Sequence, residues 1–169
     1  YGSYVFKDLR FDEDENENKN FILNKEGFRS AKIIVAGDNF GCGSSREGAV
    51  FTLVDAGFRA IIATSFGDIF YNNSFNNGLL PVVLPEETVR SLRQQLHNAP
   101  GAEITVDLEE RKVTGPDQGT HAFDIDAHRR DRLLKRLDSV GYTMQFEDQI
   151  SSFEENYLNN LSWEANSNI

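Results

Sequence analysis

A chain of 169 residues with net charge −10 and an isoelectric point near 4.7 is poorly suited to nucleic acid or to an anionic membrane surface. No apolar run approaches the ~20 residues of a membrane span, and no signal-peptide pattern opens the chain. The single cysteine, Cys42, excludes an internal disulfide framework and suits a reducing cytoplasm.

The length fits one domain over 1–169, able to bury roughly two-thirds of its unfolded surface. Residues 11–20 (Phe-Asp-Glu-Asp-Glu-Asn-Glu-Asn-Lys-Asn) are acidic and read as an exposed, solvated loop. Ala31 to Ala36 is a short apolar run ended by Gly37, with Ile33–Ala36 a buried strand. After the glycine-rich stretch 37–47, Val50, Leu53, Val54 and Gly57 fall at helical spacing and predict a helix at about 45–57. Ser44 or Ser45 sits where its N-cap is wanted. Arg59–Ala63 and Leu79–Leu84 read as further buried strands, separated by a helix at about 66–76. There Ser65 and Asp68 suit a capping box, and Phe66, Ile69, Phe70 and Phe75 read as core. Asn72, Asn73, Asn76 and Asn77 crowd ahead of Gly78, a good glycine to end the helix.

Pro85 suits the first turn of a helix running to about Asn98. Glu103–Leu108 and Lys112–Thr114 form a hairpin around Glu109–Arg111, followed by the turn-rich Gly115–Gly119. His121–Ile125 is one more strand, and Asp126 caps a helix through Leu137. A last helix, roughly 144–158, offers a docking surface, and 159–169 read as a frayed tail. Strands alternating with short helices predict an α/β core of parallel type.

The stretch Gly37-Asp-Asn-Phe-Gly-Cys-Gly-Ser-Ser-Arg-Glu47 lies between a strand and a helix. Backbone N–H groups at a helix start, with the positive end of its dipole, attract anions. Arg46 adds a forked donor that fits a carboxylate or phosphate. The competing reading makes the glycines only a tight turn and Ser-Ser before Glu only a cap, but three glycines with Ser-Ser-Arg-Glu at a strand end favour the anion site. No Gly-Lys-Ser/Thr follows, and the glycine spacing does not match a dinucleotide fingerprint. One thiol is too few for an iron–sulfur cluster, which takes three or four. His97, His121 and His128 lack paired ligand spacing and read as surface residues, so this chain is expected to hold no metal.

Phe40-Gly-Cys-Gly-Ser-Ser-Arg-Glu47 resembles the swivel-domain motif of the aconitase superfamily. Ser65-Phe-Gly-Asp-Ile-Phe-Tyr-Asn-Asn-Ser-Phe-Asn-Asn-Gly-Leu-Leu-Pro81 resembles the second hallmark of its small-subunit branch, best known from 3-isopropylmalate dehydratase. The likeness runs from about Phe6 through Glu154, including Gly141-Tyr-Thr-Met-Gln-Phe-Glu-Asp148. It implies a compact swivelling β/β/α-type domain, a mixed sheet with flanking helices. It also implies a partner, a large subunit carrying a [4Fe–4S] cluster. The reaction would be a hydro-lyase isomerisation of a small 2-hydroxy diacid, 2-isopropylmalate, in leucine biosynthesis. Tyr1 then falls inside the family's pattern, after the segment that in relatives supplies a first strand, which leaves a sheet edge unpaired.

By motif matching, Ser44 would be the catalytic base, working as an alkoxide. Arg46 would clamp a substrate carboxylate, with Gly43 and Ser45 as further binding groups. Ser45 would donate a hydrogen bond or cap the helix, and Glu47 would cap it or brace Arg46. Asn72 and Asn73 would brace the loop or line the subunit interface; as plain helix-terminating residues they would do neither. Gly48 stands where relatives commonly carry histidine, Ser74 where many carry cysteine and Gly67 where alanine is common. The first departure keeps open a paralogous hydratase for methylmalate- or dimethylmaleate-like diacids. A non-catalytic anion-binding assembly module is the other alternative.

Overall fold

The computed structural model describes residues 1–137 and 139–160. Where the sequence suggested one domain, the chain divides into two compact units, Tyr1–Arg136 and Leu137–Ile169. The first opens with a 3-10 turn, Gly2–Tyr4, and a one-turn helix, α1 (Lys7–Arg10). It then builds two three-stranded sheets in place of one mixed sheet. The parallel sheet has the order β1 (Ile33–Val35), β2 (Ala60–Ala63), β3 (Leu80–Val83). The antiparallel sheet has the order β4 (Thr105–Asp107), β5 (Lys112–Thr114), β6 (Thr120–Ala122).

The parallel sheet owes its place to a period of two. Ile34 pairs with Ile61 and Ile62 with Val82, and β2 is buried along its whole length, as a central parallel strand covered on both faces should be. Ile61 packs with Val50, Leu53, Phe58, Phe70 and Leu79 beneath α2 (Gly48–Asp55) and α3 (Asp68–Asn76). Ala60 and Ile62 point the other way, into a cluster with Val89 and Leu92 of α4 (Glu86–Asn98), Val113 and Phe123. Right-handed crossovers put α2 and α3 on one face, and α4 closes the opposite one. β1 pairs with β2 alone among the described residues, so one sheet edge is open. It borders a cavity of about 230 Å³ lined by Phe6, Phe21, Phe28, Ile33 and Leu96.

Several elements start elsewhere than the sequence suggested. Helix α2 begins at Gly48 with Glu47 at its N-cap position, three residues beyond the start expected at Ser45. Neither Ser44 nor Ser45 caps it. Helix α3 is preceded by Gly67 without a side-chain cap bond, so no capping box forms from Ser65. Ile69 is 50% exposed, outside the core, and Phe66 is half-buried. Gly78 does end α3, in the left-handed region at φ +72°.

Asp126 caps α5 (Ala127–Lys135) as expected, its carboxylate accepting the Arg129 N–H at 3.1 Å. Residues 11–17 form an exposed turn closed by an antiparallel bridge between Phe11 and Glu17. Buried Asn24 staples that segment. Its amide donates to the Arg10 and Asn18 carbonyls at 2.7 and 3.0 Å and accepts from the Arg10 Nε at 3.2 Å.

Within the second unit are α6 (Ser139–Met144) and α7 (Glu147–Asn160). The sequence had suggested one helix here, beginning near 144. Asn159 and Asn160 close α7; the rest of the expected frayed tail, 161–169, lies outside the described residues.

Candidate active site

The two sequence motifs meet at the carboxyl ends of β1 and β2, the end of an open parallel sheet where ligands bind. They are joined by backbone. The Phe40 N–H donates to the Ser65 carbonyl at 3.0 Å, and the Gly67 N–H to the Phe40 carbonyl at 3.0 Å. The Asn39 N–H donates to the Ser65 hydroxyl oxygen at 2.8 Å. Ser65 therefore anchors the glycine-rich loop 26 residues upstream. Below the joint, Phe40 meets Phe70 edge-on with ring centres 5.4 Å apart, and Phe66 at 6.2 Å.

Two glycines permit this contact. Gly41 has φ +77°, and a Cβ there would run into the Phe70 ring. A Cβ on Gly67 would lie 2.7 Å from the Cys42 Cα, inside ordinary van der Waals contact. Gly43 differs from both: a Cβ there meets nothing within 4 Å, so it leaves open space where a ligand could approach.

Beyond this joint the loop turns tightly. The Cys42 N–H bonds to the Asn39 carbonyl and the Ser44 N–H to the Gly41 carbonyl, each at 3.1 Å. Half-buried Ser44 donates its hydroxyl to the Arg46 carbonyl at 3.0 Å, and the Arg46 N–H lies 3.4 Å from the same oxygen. Ser45, Arg46 and Glu47 are exposed. The amino end of α2 adjoins the loop, but Glu47 sets a carboxylate at that end, so Arg46 is the loop's one cationic side chain.

The asparagines divide their work differently from the sequence reading. Asn77 donates to the Glu47 carboxylate at 2.9 Å and to the Asn73 carbonyl at 2.8 Å. The end of α3 thus holds the start of α2, and the bracing role falls to Asn77. Asn72 instead accepts from Arg129 at 2.8 Å, whose guanidinium lies over Tyr71 and Phe75 at 5.3 and 4.8 Å from the ring centres. Asn72 therefore fastens α5 to α3. Asn73 contributes its carbonyl, and Glu47 is bonded to Asn77 rather than seen bracing Arg46. The only sequence signal for Asn77 was its place at the end of the amide cluster, before Gly78. Ser74 is fully buried with its hydroxyl donating to the Phe70 carbonyl at 2.8 Å, a satisfied core position.

Residues 3–87 match the aconitase C-terminal domain, and residues 90–127 match the LeuD_N family. The 3-isopropylmalate dehydratase small subunit of Jannaschia sp. (strain CCS1) is 49% identical over 162 residues, 96% of this chain and 81% of that relative. That of Parvibaculum lavamentivorans is 48% identical over the same shares. The chain belongs to the 3-isopropylmalate dehydratase small-subunit family. A crystal structure of 3-isopropylmalate dehydratase from Methanocaldococcus jannaschii has a TM-score of 0.55 and 31% identity to it, covering 72% of this chain and 68% of that one. Both motifs lie within the aconitase match, and the fold is that family's mixed α/β, with parallel and antiparallel sheets.

Members of this family are small subunits of an aconitase-type hydro-lyase, and the resemblance of the motifs implied a [4Fe–4S] cluster for the assembled enzyme. This chain's residues do not fit such a cluster. Cys42 is the one thiol in the sequence, and thiolate ligation takes several. Among the described residues no group of three or more His, Cys, Asp or Glu side chains could hold a metal ion. His97 and His128 are exposed on α4 and α5, and His121 is half-buried on β6.

Proposed function

We propose that this chain is the small subunit of 3-isopropylmalate dehydratase. With a large subunit it would convert 2-isopropylmalate to 3-isopropylmalate by removing water and adding it back on the neighbouring carbon, in leucine biosynthesis. The observation that carries this reading is the likeness over 96% of the chain to relatives of that name. The serine–arginine loop, pinned through its backbone with Ser45 and Arg46 exposed, supports it. Those relatives share one name, which favours isopropylmalate over the methylmalate- or dimethylmaleate-type alternative.

In this reading Arg46 forks onto a substrate carboxylate, with Ser45 and the backbone around Gly43 as further donors. Ser44 as alkoxide takes the proton from carbon and becomes the hydroxyl. The C–H electron pair forms the double bond as hydroxide leaves the neighbouring carbon, and the proton that completes it to water would come from an acid on the large subunit, which takes that proton back when water adds. Addition in the opposite sense gives the isomer and returns the proton from Ser44. A serine hydroxyl is too weakly acidic to ionise unaided. The Arg46 N–H, 3.4 Å from the Ser44 oxygen, would be a stabilising donor, with the guanidinium of Arg46 as a second. An alkoxide can no longer donate to the Arg46 carbonyl, so substrate binding must turn Oγ away from it. The cluster would come from the large subunit. A cytoplasmic location belongs to the same proposal; among the described residues no helix is long and apolar enough to cross a membrane.

The test is anaerobic turnover of the full-length chain, alone and mixed with its large subunit, on 2-isopropylmalate, 2-methylmalate and dimethylmaleate. Activity only in the mixture and best on isopropylmalate is expected. A preference for a smaller or dimethylated diacid would replace the substrate, and silence on all three with a confirmed complex would leave an assembly module. Arg46→Ala should lower kcat/KM about 100-fold with the complex intact, as loss of a charged hydrogen-bond fork does.

A further inference from the structure

Arg46 and Glu47 are sequence neighbours of opposite charge, both exposed, on the loop that the proposed function uses to clamp a carboxylate. Helix α2 starts only at Gly48, so the helical geometry that keeps adjacent side chains apart does not separate these two. Unrestrained, they would form an exposed ion pair, and a substrate carboxylate would have to displace Glu47 to reach Arg46. Among the described residues, however, no carboxylate lies within ion-pair distance of the Arg46 guanidinium.

Glu47 is held elsewhere. The Asn77 amide nitrogen donates to the Glu47 carboxylate at 2.9 Å and to the Asn73 carbonyl at 2.8 Å. Both partners can only accept, so the chemistry fixes which face of the amide they meet. Asn77 is half-buried at the end of α3, its backbone N–H bonded to the Ser74 carbonyl at 3.1 Å. The tether is anchored in the core, because α3 buries Phe70, Ser74 and Phe75. An amide carries no charge, so it holds the carboxylate without adding a second cation to the site. The carboxylate stays at the amino end of α2, where the helix dipole favours it.

We infer that Asn77 is a positioning residue for substrate binding: it tethers the Glu47 carboxylate to α3, keeps it off Arg46 and leaves the guanidinium to a carboxylate of the diacid. This rests on the reading of the chain as a dehydratase small subunit with Arg46 as its clamp. Without the tether Glu47 pairs with Arg46 and repels the incoming anion, so substrate affinity falls while the chemistry at Ser44 is untouched. A tether that only fastened α2 to α3 would act otherwise. Its loss would misplace Ser44 and lower kcat.

Steady-state kinetics of the full-length chain assembled with its large subunit, on 2-isopropylmalate at low and high salt, separate these roles. Asn77→Ala should raise KM about three- to fivefold, the span an exposed ion pair allows, with kcat within about twofold. The rise should shrink as salt screens the pair. Adding Glu47→Gln removes the competing charge and should return KM to within about twofold of the wild-type value. Asn77→Asp, equal in size but unable to donate, should raise KM at least as far, and it carries the test if melting shows that Asn77→Ala does not fold. An unchanged KM beside an active wild type would overturn the inference and leave the functional reading standing. A fall in kcat that Glu47→Gln does not rescue would do the same, by making the tether a structural one. No turnover by the wild type in a confirmed complex would overturn both.

Discussion

Two loops of the first unit are held in opposite ways. Residues 11–24 add side-chain ties to their backbone turns: Asp12 accepts the Asp14 and Asn16 N–H groups, Asn24 reaches two carbonyls, and Arg29 forks onto Glu17 at 2.8 and 2.5 Å. Residues 39–47 are tied mainly by backbone, through Phe40, Ser65 and Gly67, with glycines at the two points of closest approach. The first loop spends its polar side chains on its own shape. The second keeps Ser45 and Arg46 turned to solvent while its main chain is fixed from behind. A loop built this way leaves Ser45 and Arg46 exposed, whereas the Ser44 hydroxyl is engaged by the Arg46 carbonyl.

The contrast breaks most sharply at Ser44. Ser44→Ala should lower turnover of the assembled enzyme about 1,000-fold or more, with circular dichroism and affinity for the large subunit unchanged. Near-normal turnover would remove Ser44 from the proton transfer. Gly41→Ala strikes the support instead. Left-handed backbone and a methyl group against the Phe70 ring should together cost about 2–4 kcal/mol, read by urea unfolding. A loss below about 1 kcal/mol would mean the loop lifts from α3 without strain.

On the other loop, Asn24→Ala leaves two carbonyls and the Arg10 Nε without these partners. It should cost about 2 kcal/mol while turnover stays within about twofold, since nothing in the 39–47 loop leans on it; a large loss of activity would join the two loops. The smallest effect belongs to Glu17. Its carboxyl is held below the ordinary value by the hydrogen bonds from Arg29, which is raised in turn. A lowered carboxyl stabilises the fold above its unfolded pKa and loses that contribution as pH falls through the folded one. Glu17→Gln should therefore lower Tm slightly at pH 7, with the gap closing below about pH 4. A constant gap across that range would assign the difference to packing.

Local chemistry made much of this legible in advance. The β-branched runs gave the three parallel strands, Asp126 its cap, Gly78 the end of α3, and the glycine–serine–arginine stretch its place at a strand end. What escaped depends on partners distant in sequence. Ser65 read as a cap because the next helix is close, whereas its oxygen bonds Asn39 across the joint between loops. Asn77 was one amide among four until α2 and α3 were set side by side. Ile69 fits an apolar pattern, yet α3 turns that position outward.

The parallel sheet also has a kinetic consequence. β1, β2 and β3 lie in chain order, each joined to the next by one helix. Their partners, such as Ile33 with Ala60 and Ala60 with Leu80, lie much farther apart in the chain than those of the antiparallel sheet, such as Val106 with Val113, so the parallel sheet is the slower of the two to assemble. Residues 33–83 form a cooperative unit whose central amides, at Ile61 and Ile62, should exchange with deuterated solvent more slowly than those of β4 or β6. Both sequence motifs hang from this unit, so in a refolding chain the antiparallel hairpins close before the carboxyl end of the parallel sheet is set.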